Sequence, residues 1–246
     1  MEHVLIATAT MDKKVSSGIA NLFSQVSAPG IKQDYKFSTM VVENVRGFAL
    51  MRNMVSGVFL KSPCDRLWFL DNDVLPAANV LDLLDVDGDV VAGVVPFQHC
   101  TSGAYLKLRD LDDLSSRTED YTGTGTLLDV TCVGTACTWI RREVLEDPKM
   151  HLGRDYVRPD GRADRLGDEE PPSIFRYNWL PNGDTMMGED FDFSYRASRL
   201  GYRVRYDGRV VCDHVKTLAM LELLDRAKQQ WDEARSASIS TVAKAI

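Results

Sequence analysis

Apolar and polar positions alternate in two rhythms along the first hundred residues. Val4-Leu5-Ile6-Ala7 is a short unbroken apolar run ending in Thr8-Ala9-Thr10, the form of a buried strand. Ile19, Leu22, Phe23 and Val26 recur at helical spacing, and Pro29-Gly30 stops them. Phe37 to Val42 reads as a second strand, and Ala49 to Leu60 as a second helix ending before Pro63. Leu67-Trp68-Phe69-Leu70 is apolar at every position, as a central strand covered on both faces requires. Pro76 to Leu84 reads as a short helix, and Asp87-Gly88 turns the chain into the run from Val90 to Val95. Strand and helix alternate throughout, which predicts an α/β fold: a Rossmann-like, open, mostly parallel sheet flanked by helices.

The second half is more mixed. Residues 98–126 are polar, and Leu127 to Ile140 reads as a long β-type run with a helical start at Glu143-Val144-Leu145. Residues 147–187 carry many charges and prolines together with Phe175, Tyr177, Trp179 and Leu180, the composition of a functional loop or lid. Glu189 to Leu200 reads as a helix stopped by Gly201. Tyr202 to Tyr206 reads as a strand, Asp207-Gly208 as a turn, and Val210-Val211-Cys212 as a further strand. Met220 to Trp231 is an amphipathic helix, and the tail after Ser236 is small and polar. The expected organisation is one domain over 1–216, with a nucleotide-binding half (1–97) and an acceptor or catalytic half (98–216). A terminal helix and tail follow over 217–246.

Composition narrows this little. Apolar residues make up 44% and charged residues 26%, which excludes a disordered or fibrous chain. The net charge of −7 disfavours bulk electrostatic capture of nucleic acid. Five cysteines with no CxxC pair read as reduced thiols. The short apolar N-terminus lacks a basic lead, and no apolar run is long enough to span a membrane. The expectation is therefore a cytoplasmic protein.

Three features carry chemistry. Asp71-Asn72-Asp73 follows the apolar strand at the edge where open parallel sheets bind ligands. Two such acids can share a hard cation and a ribose hydroxyl, or merely cap a following helix. Glu189-Asp190 opens a helix, where acids complement the helix dipole or one of them serves as a general base. The helix terminus lowers a carboxylate's pKa, so burial must act the other way if a base is to be tuned upward. His214 ends the run Val210-Val211-Cys212-Asp213, as a metal ligand or a plain strand-end residue.

Taken in order, these pieces resemble a GT-A glycosyltransferase. The family pattern is an Asp-x-Asp after a central strand, a Glu-Asp at a helix start and a later strand-end histidine. The wording of Gly188 to Ala197, of Leu200-Gly201-Tyr202-Arg203-Val204 and of Val133 to Val144 is close to the family's. Arg52-Asn53, on the helix before the Asp-x-Asp strand, is similar to small bacterial and phage-encoded members.

The resemblance implies a nucleoside-diphosphate sugar as donor, a UDP-sugar in the first instance, with Mn²⁺ or Mg²⁺ as cofactor. Asp73 and His214 would ligate the metal, and Asp71 would reach it through water or touch the donor ribose. Thr8, Ala9 and Thr10 would line the nucleotide site, Glu43 or Asn44 would touch the base, and Arg52 would face the diphosphate. Gly134 and Thr135 would lie against the donor sugar. Asp190, with Glu189 beside it, matches the catalytic base of inverting members, and Tyr177 and Trp179 are stacking platforms or lid-packing aromatics.

The acceptor hydroxyl is left open among a glycan, a protein, a small molecule and a modified nucleic-acid base. Rival readings are a haloacid-dehalogenase-like Mg²⁺-dependent phosphatase, a sugar-nucleotide nucleotidyltransferase, and a GT-A scaffold that binds a nucleotide or glycan without turnover. Against the phosphatase, the acids do not follow the first strand, and Val74 stands where a glycine is usual.

Overall fold

The structure is a computed structural model that describes residues 1–10, 15–43, 47–95, 105–106, 125–151, 155–157, 163–165, 173–179 and 186–214. The amphipathic segment from Met220 to Trp231, Asn44 and the side chain of Trp179 lie outside the described residues, as does most of the expected lid.

Strand β1 (Glu2–Thr10) is followed by helix α1 (Ser17–Val26), β2 (Tyr35–Glu43), α2 (Phe48–Leu60) and β3 (Arg66–Asp71). A two-residue strand β4 (Val74–Leu75) leads on to β5 (Val90–Val94). The expected helix over Pro76–Leu84 is instead a tight turn of 3₁₀ helix at Val80–Asp85, entered by a bond from the Val80 N–H to the Ala77 carbonyl. The run from Leu127 to Ile140 divides into three strands: β6 (Leu127–Asp129), β7 (Cys132–Val133) and β8 (Cys137–Arg141). Helices α3 (Arg142–Glu146) and α4 (Glu189–Arg199) precede β9 (Val204–Val211) and β10 (Asp213–His214). Asp207-Gly208 does not turn the chain back. β9 runs through it with a register shift against β5 between Asp207 and Val211.

Seven strands form one sheet in the order β2-β1-β3-β8-β5-β9-β6. β1, β2 and β3 are parallel, as expected. The parallel series is interrupted, because β8 inserts antiparallel between β3 and β5. β9 is parallel to β5, and β6 closes that side antiparallel to β9. The sheet is therefore mixed but mostly parallel.

Side chains alternate across β3, so each face receives half of its apolar run. Leu67 and Phe69 join Val55 and Phe59 of α2 and Phe193 and Ala197 of α4. Trp68 and Leu70 join Ile19, Leu22 and Val26 of α1 on the other face. Among the cysteines, Cys64, Cys132, Cys137 and Cys212 are buried and unbridged. Arg142 braces the end of α2. Its guanidinium donates to the carbonyls of Phe59, Leu60, Ser62 and Cys64, where the helix dipole favours a cation.

Candidate active site

The C-terminal ends of β1, β2 and β3 form one edge. Parallel register sets Ala9 opposite Asp71 and Thr10 opposite Glu43. Asn72 reaches across to the Thr10 hydroxyl at 3.5 Å. Glu43 is exposed at the strand end, and Ala9 packs partly against the α2 side of the core. Thr8 departs from the expectation of a ligand contact: it is interior, on the α1 face. Its hydroxyl has no hydrogen-bond partner among the described residues.

A two-residue ladder completes this edge. β10 pairs antiparallel with β4, setting His214 opposite Val74. That pairing carries the His214 ring to Asp73, with Nε2 3.1 Å from Oδ2. The sequence placed these residues far apart, and the ladder brings them into direct contact. Asp71 goes elsewhere. Successive residues on a strand point to opposite faces, and Asp71 lies on the α2 side, where Arg52 takes its Oδ1 at 3.2 Å. Among the described residues, no three His, Cys, Asp or Glu side chains are grouped so as to hold a metal by themselves.

Arg52 is the hub of the site. It is 3% exposed and stands over the Phe69 ring, its Cζ 5.2 Å from the centroid. Its Nη2 donates to Asp71, and its Nε donates to Glu189 Oε1 at 3.3 Å. Nη1 is buried with no hydrogen-bond partner among the described residues. The arginine expected to face a diphosphate thus has two of its three nitrogens committed to carboxylates, and it ties β3 to α4.

Glu189 is also committed. Its carboxylate is buried between Arg52 and the Tyr177 hydroxyl, which hydrogen-bonds to it. Burial and this carboxylate push the Tyr177 phenol up to about 12. Glu189 is therefore held between Arg52 and Tyr177, whereas Asp190 faces Gly134. The physical reason is angular: adjacent helix residues point about 100° apart.

Asp190 is the acid left at the cleft. Its Oδ1 accepts from the Phe191 N–H at 2.8 Å, and Arg52 also favours its anion. Desolvation outweighs both and, with the adjoining Glu189 charge, raises its pKa to about 6. Gly134 faces this carboxylate: a Cβ built there would lie 3.5 Å from Asp190 Oδ2. Thr135, expected at the donor sugar, is instead fully buried, and its hydroxyl has no hydrogen-bond partner among the described residues.

The segment 173–178 is strapped across this site by side chains the sequence reading left unassigned. Asn53 accepts from the N–H groups of Ile174 and Phe175 and donates to the Phe175 carbonyl. Asp192, 1% exposed, takes Arg196 at 2.8 Å and Asn178 at 3.0 Å. Phe175 stacks on Phe193 at 4.5 Å. The clue available in the sequence was i,i+4 spacing between Asp192 and Arg196. Nothing in it named Asn53 as the anchor.

No family model and no curated protein sequence matches the chain. Solved structures are similar to it. A197 from STIV is 18% identical, with a TM-score of 0.50 over 87% of this chain and 85% of that one. S. aureus TarS 1-349 is 12% identical, with a TM-score of 0.45 over 87% and 60%. GalNAc-T7, solved with UDP, GalNAc and Mn²⁺, is 12% identical, with a TM-score of 0.46 over 87% and 44%. At these identities the likeness is one of fold alone. The shared fold is an open α/β sheet flanked by helices, the class that the strand and helix pattern predicts. Among the described residues, no helix is long and apolar enough to cross a membrane.

Proposed function

We propose that this chain is a metal-dependent glycosyltransferase, moving a sugar from a nucleoside-diphosphate sugar to an acceptor hydroxyl with inversion. The donor proposed first is a UDP-sugar. The observation that carries the reading is the meeting of Asp73 and His214 at the same sheet edge whose arginine, Arg52, also binds Glu189 at the start of α4.

The donor set fits a divalent cation. A carboxylate oxygen and an imidazole nitrogen already 3.1 Å apart are of the chemical kinds Mn²⁺ accepts. Asp73 and His214 would hold it, and phosphate oxygens and water would fill its remaining positions. When bound, it offsets the charge of the leaving diphosphate.

The chain's own residues do the rest. Asp190, with its pKa near 6, is largely ionised at neutral pH yet basic enough to accept a proton. It takes that proton from the acceptor hydroxyl as the oxygen bonds to the anomeric carbon and the bond to the diphosphate breaks. Glu189 keeps Arg52 in place and, by its charge, keeps Asp190 basic. Gly134 leaves room at the Asp190 carboxylate for the hydroxyl to approach. Asp71, held by Arg52 Nη2 at 3.2 Å, would face the donor ribose.

The test is release of UDP from UDP-sugars with Mn²⁺, with Asp73→Ala as control. Release that needs both Mn²⁺ and Asp73 supports turnover. Tight UDP binding without release would favour a non-catalytic scaffold.

A further inference from the structure

Strand β9 does not run evenly along β5. Val204 to Asp207 pair in step with Val90 to Gly93, but the next pair is Val211 with Val94. Gly208, Arg209 and Val210 are therefore fitted into a single step of β5. Side chains on a strand alternate between faces, so inserting an odd number of residues reverses the face of every side chain beyond it. The core shows the reversal. Val204 and Tyr206 pack with α2 and α4, whereas Val210 and Cys212 pack with α1.

His214 depends on that insertion. In a regular β9, Val94 would pair with Gly208, and His214 would lie three residues farther along, about 10 Å at the usual rise of a strand. Its ring would also turn to the α2 face, away from Val74, which packs with α1.

The insertion is held by a clip. Asp207 is fully buried, and its Oδ1 accepts from the Arg209 N–H at 3.0 Å and from Arg209 Nε at 2.8 Å. Its Oδ2 accepts from Arg209 Nη2 at 2.7 Å. A forked pair of this kind sets direction as well as distance. A buried carboxylate is costly unless it is paired. This one pairs within the bulge, so its bonds to Arg209 are made only while the bulge is. Around the clip, the Gly208 N–H donates to the Thr126 carbonyl at 2.8 Å, and the Asn79 amide donates to the Arg209 carbonyl at 3.1 Å. Gly93 leaves room for the bulge: a Cβ there would stand 3.3 Å from the Val210 carbonyl oxygen. Beyond it, the Cys212 N–H donates to the Val94 carbonyl at 2.8 Å, and His214 arrives opposite Val74.

We propose that Asp207 and Arg209 are positioning residues for His214, their clip setting the register that brings its ring to Asp73. The proposal rests on the reading of Asp73 and His214 as metal ligands.

The test compares Asp207→Asn and Arg209→Ala with the parent chain. Asp207→Asn is nearly isosteric and leaves no buried carboxylate without its cation, so it keeps the comparison open if Arg209→Ala does not fold. Two quantities are read: the cross-strand nuclear Overhauser contacts between His214 and Val74, and Mn²⁺ affinity from the spin resonance of the free ion. Both variants should lose the His214–Val74 contacts while keeping those between β1 and β3. Mn²⁺ affinity should fall at least about tenfold, the usual loss when a group that orients a ligand is removed. Because the clip acts through the histidine, Asp207→Asn combined with His214→Ala should bind Mn²⁺ no more weakly than His214→Ala alone. Contacts retained in Asp207→Asn, or additive losses of affinity, would overturn the proposal. A parent chain that shows the contacts but binds no Mn²⁺ would overturn the metal reading alone, and loss of the contacts in the variants would still support the clip.

Discussion

His214 Nε2 lies 3.1 Å from Asp73 Oδ2 because β10 and β4 pair for just two residues. The contact joins the far end of the described chain to the loop after the central strand. Two groups that share one ion lose it together, so their effects are coupled. Asp73→Ala and His214→Ala should each lower Mn²⁺-dependent UDP affinity at least about tenfold, about 1.4 kcal/mol. The double variant should lose little more than either single one. Titration calorimetry with Mn²⁺ and with EDTA measures this, and independent, additive losses would remove the shared ion.

Asp190 sets the pH dependence of transfer. The base works ionised, and burial raises its pKa to about 6. Transfer should therefore rise with pH through about 6 and level off above it. Asp190→Asn should lower the plateau by about 10²–10⁴-fold, the usual contribution of a general base. Near-normal transfer by Asp190→Asn, or a product of retained configuration, would take the role of base from this residue.

The same burial predicts a stability effect of opposite sign. A carboxyl whose pKa is raised on folding binds its proton more tightly in the folded state. Stability therefore falls as pH climbs from the ordinary carboxylate range through about 6. Asp190→Asn, which carries no charge, should melt higher than the parent at pH 7.5. The advantage should fade toward pH 4. Melting curves across that range give the comparison, and a constant offset would contradict the buried charge.

Arg52 neutralises two carboxylates from inside the protein. Arg52→Met would leave Glu189 and Asp71 without their cation, and breaking a buried pair by removing one partner costs about 3–5 kcal/mol. Denaturant melts should show that loss. Because Arg52 favours the Asp190 anion, the midpoint of the pH profile should also move above about 6 in any variant that folds.

Gly188 offers a test of position alone. Its φ of −61° suits any residue, but an added Cβ would meet Asp190 Oδ1 at 2.8 Å. Gly188→Ala should therefore swing the Asp190 carboxylate off its bond to Phe191. Replacing a glycine N-cap by alanine costs about 1 kcal/mol or less. Transfer should fall far more than the melting midpoint does, whereas equal loss of both would point to a purely structural role.

The sequence by itself determined the local elements and the places where chemistry gathers. Continuous apolar runs are strands wherever both faces must be covered, so β1 and β3 were legible to within a few residues. Gly201 ends α4 because its φ of 95° suits a residue without a side chain. The acids after β3 and at the start of α4, and the strand-end histidine, were visible as polar residues closing apolar runs.

Tertiary structure alone decided which of these meet. β8 enters antiparallel between β3 and β5, a pairing that closes a long loop and leaves no mark in local periodicity. Side-chain direction sent Asp71 to Arg52 and left Asp73 to His214, and it sealed Thr8 and Thr135 inside the protein. The contest at Asp190, helix dipole against burial, was also undecidable from sequence. Both forces are implied by the same residues, and only the packing around the carboxylate sets which is larger.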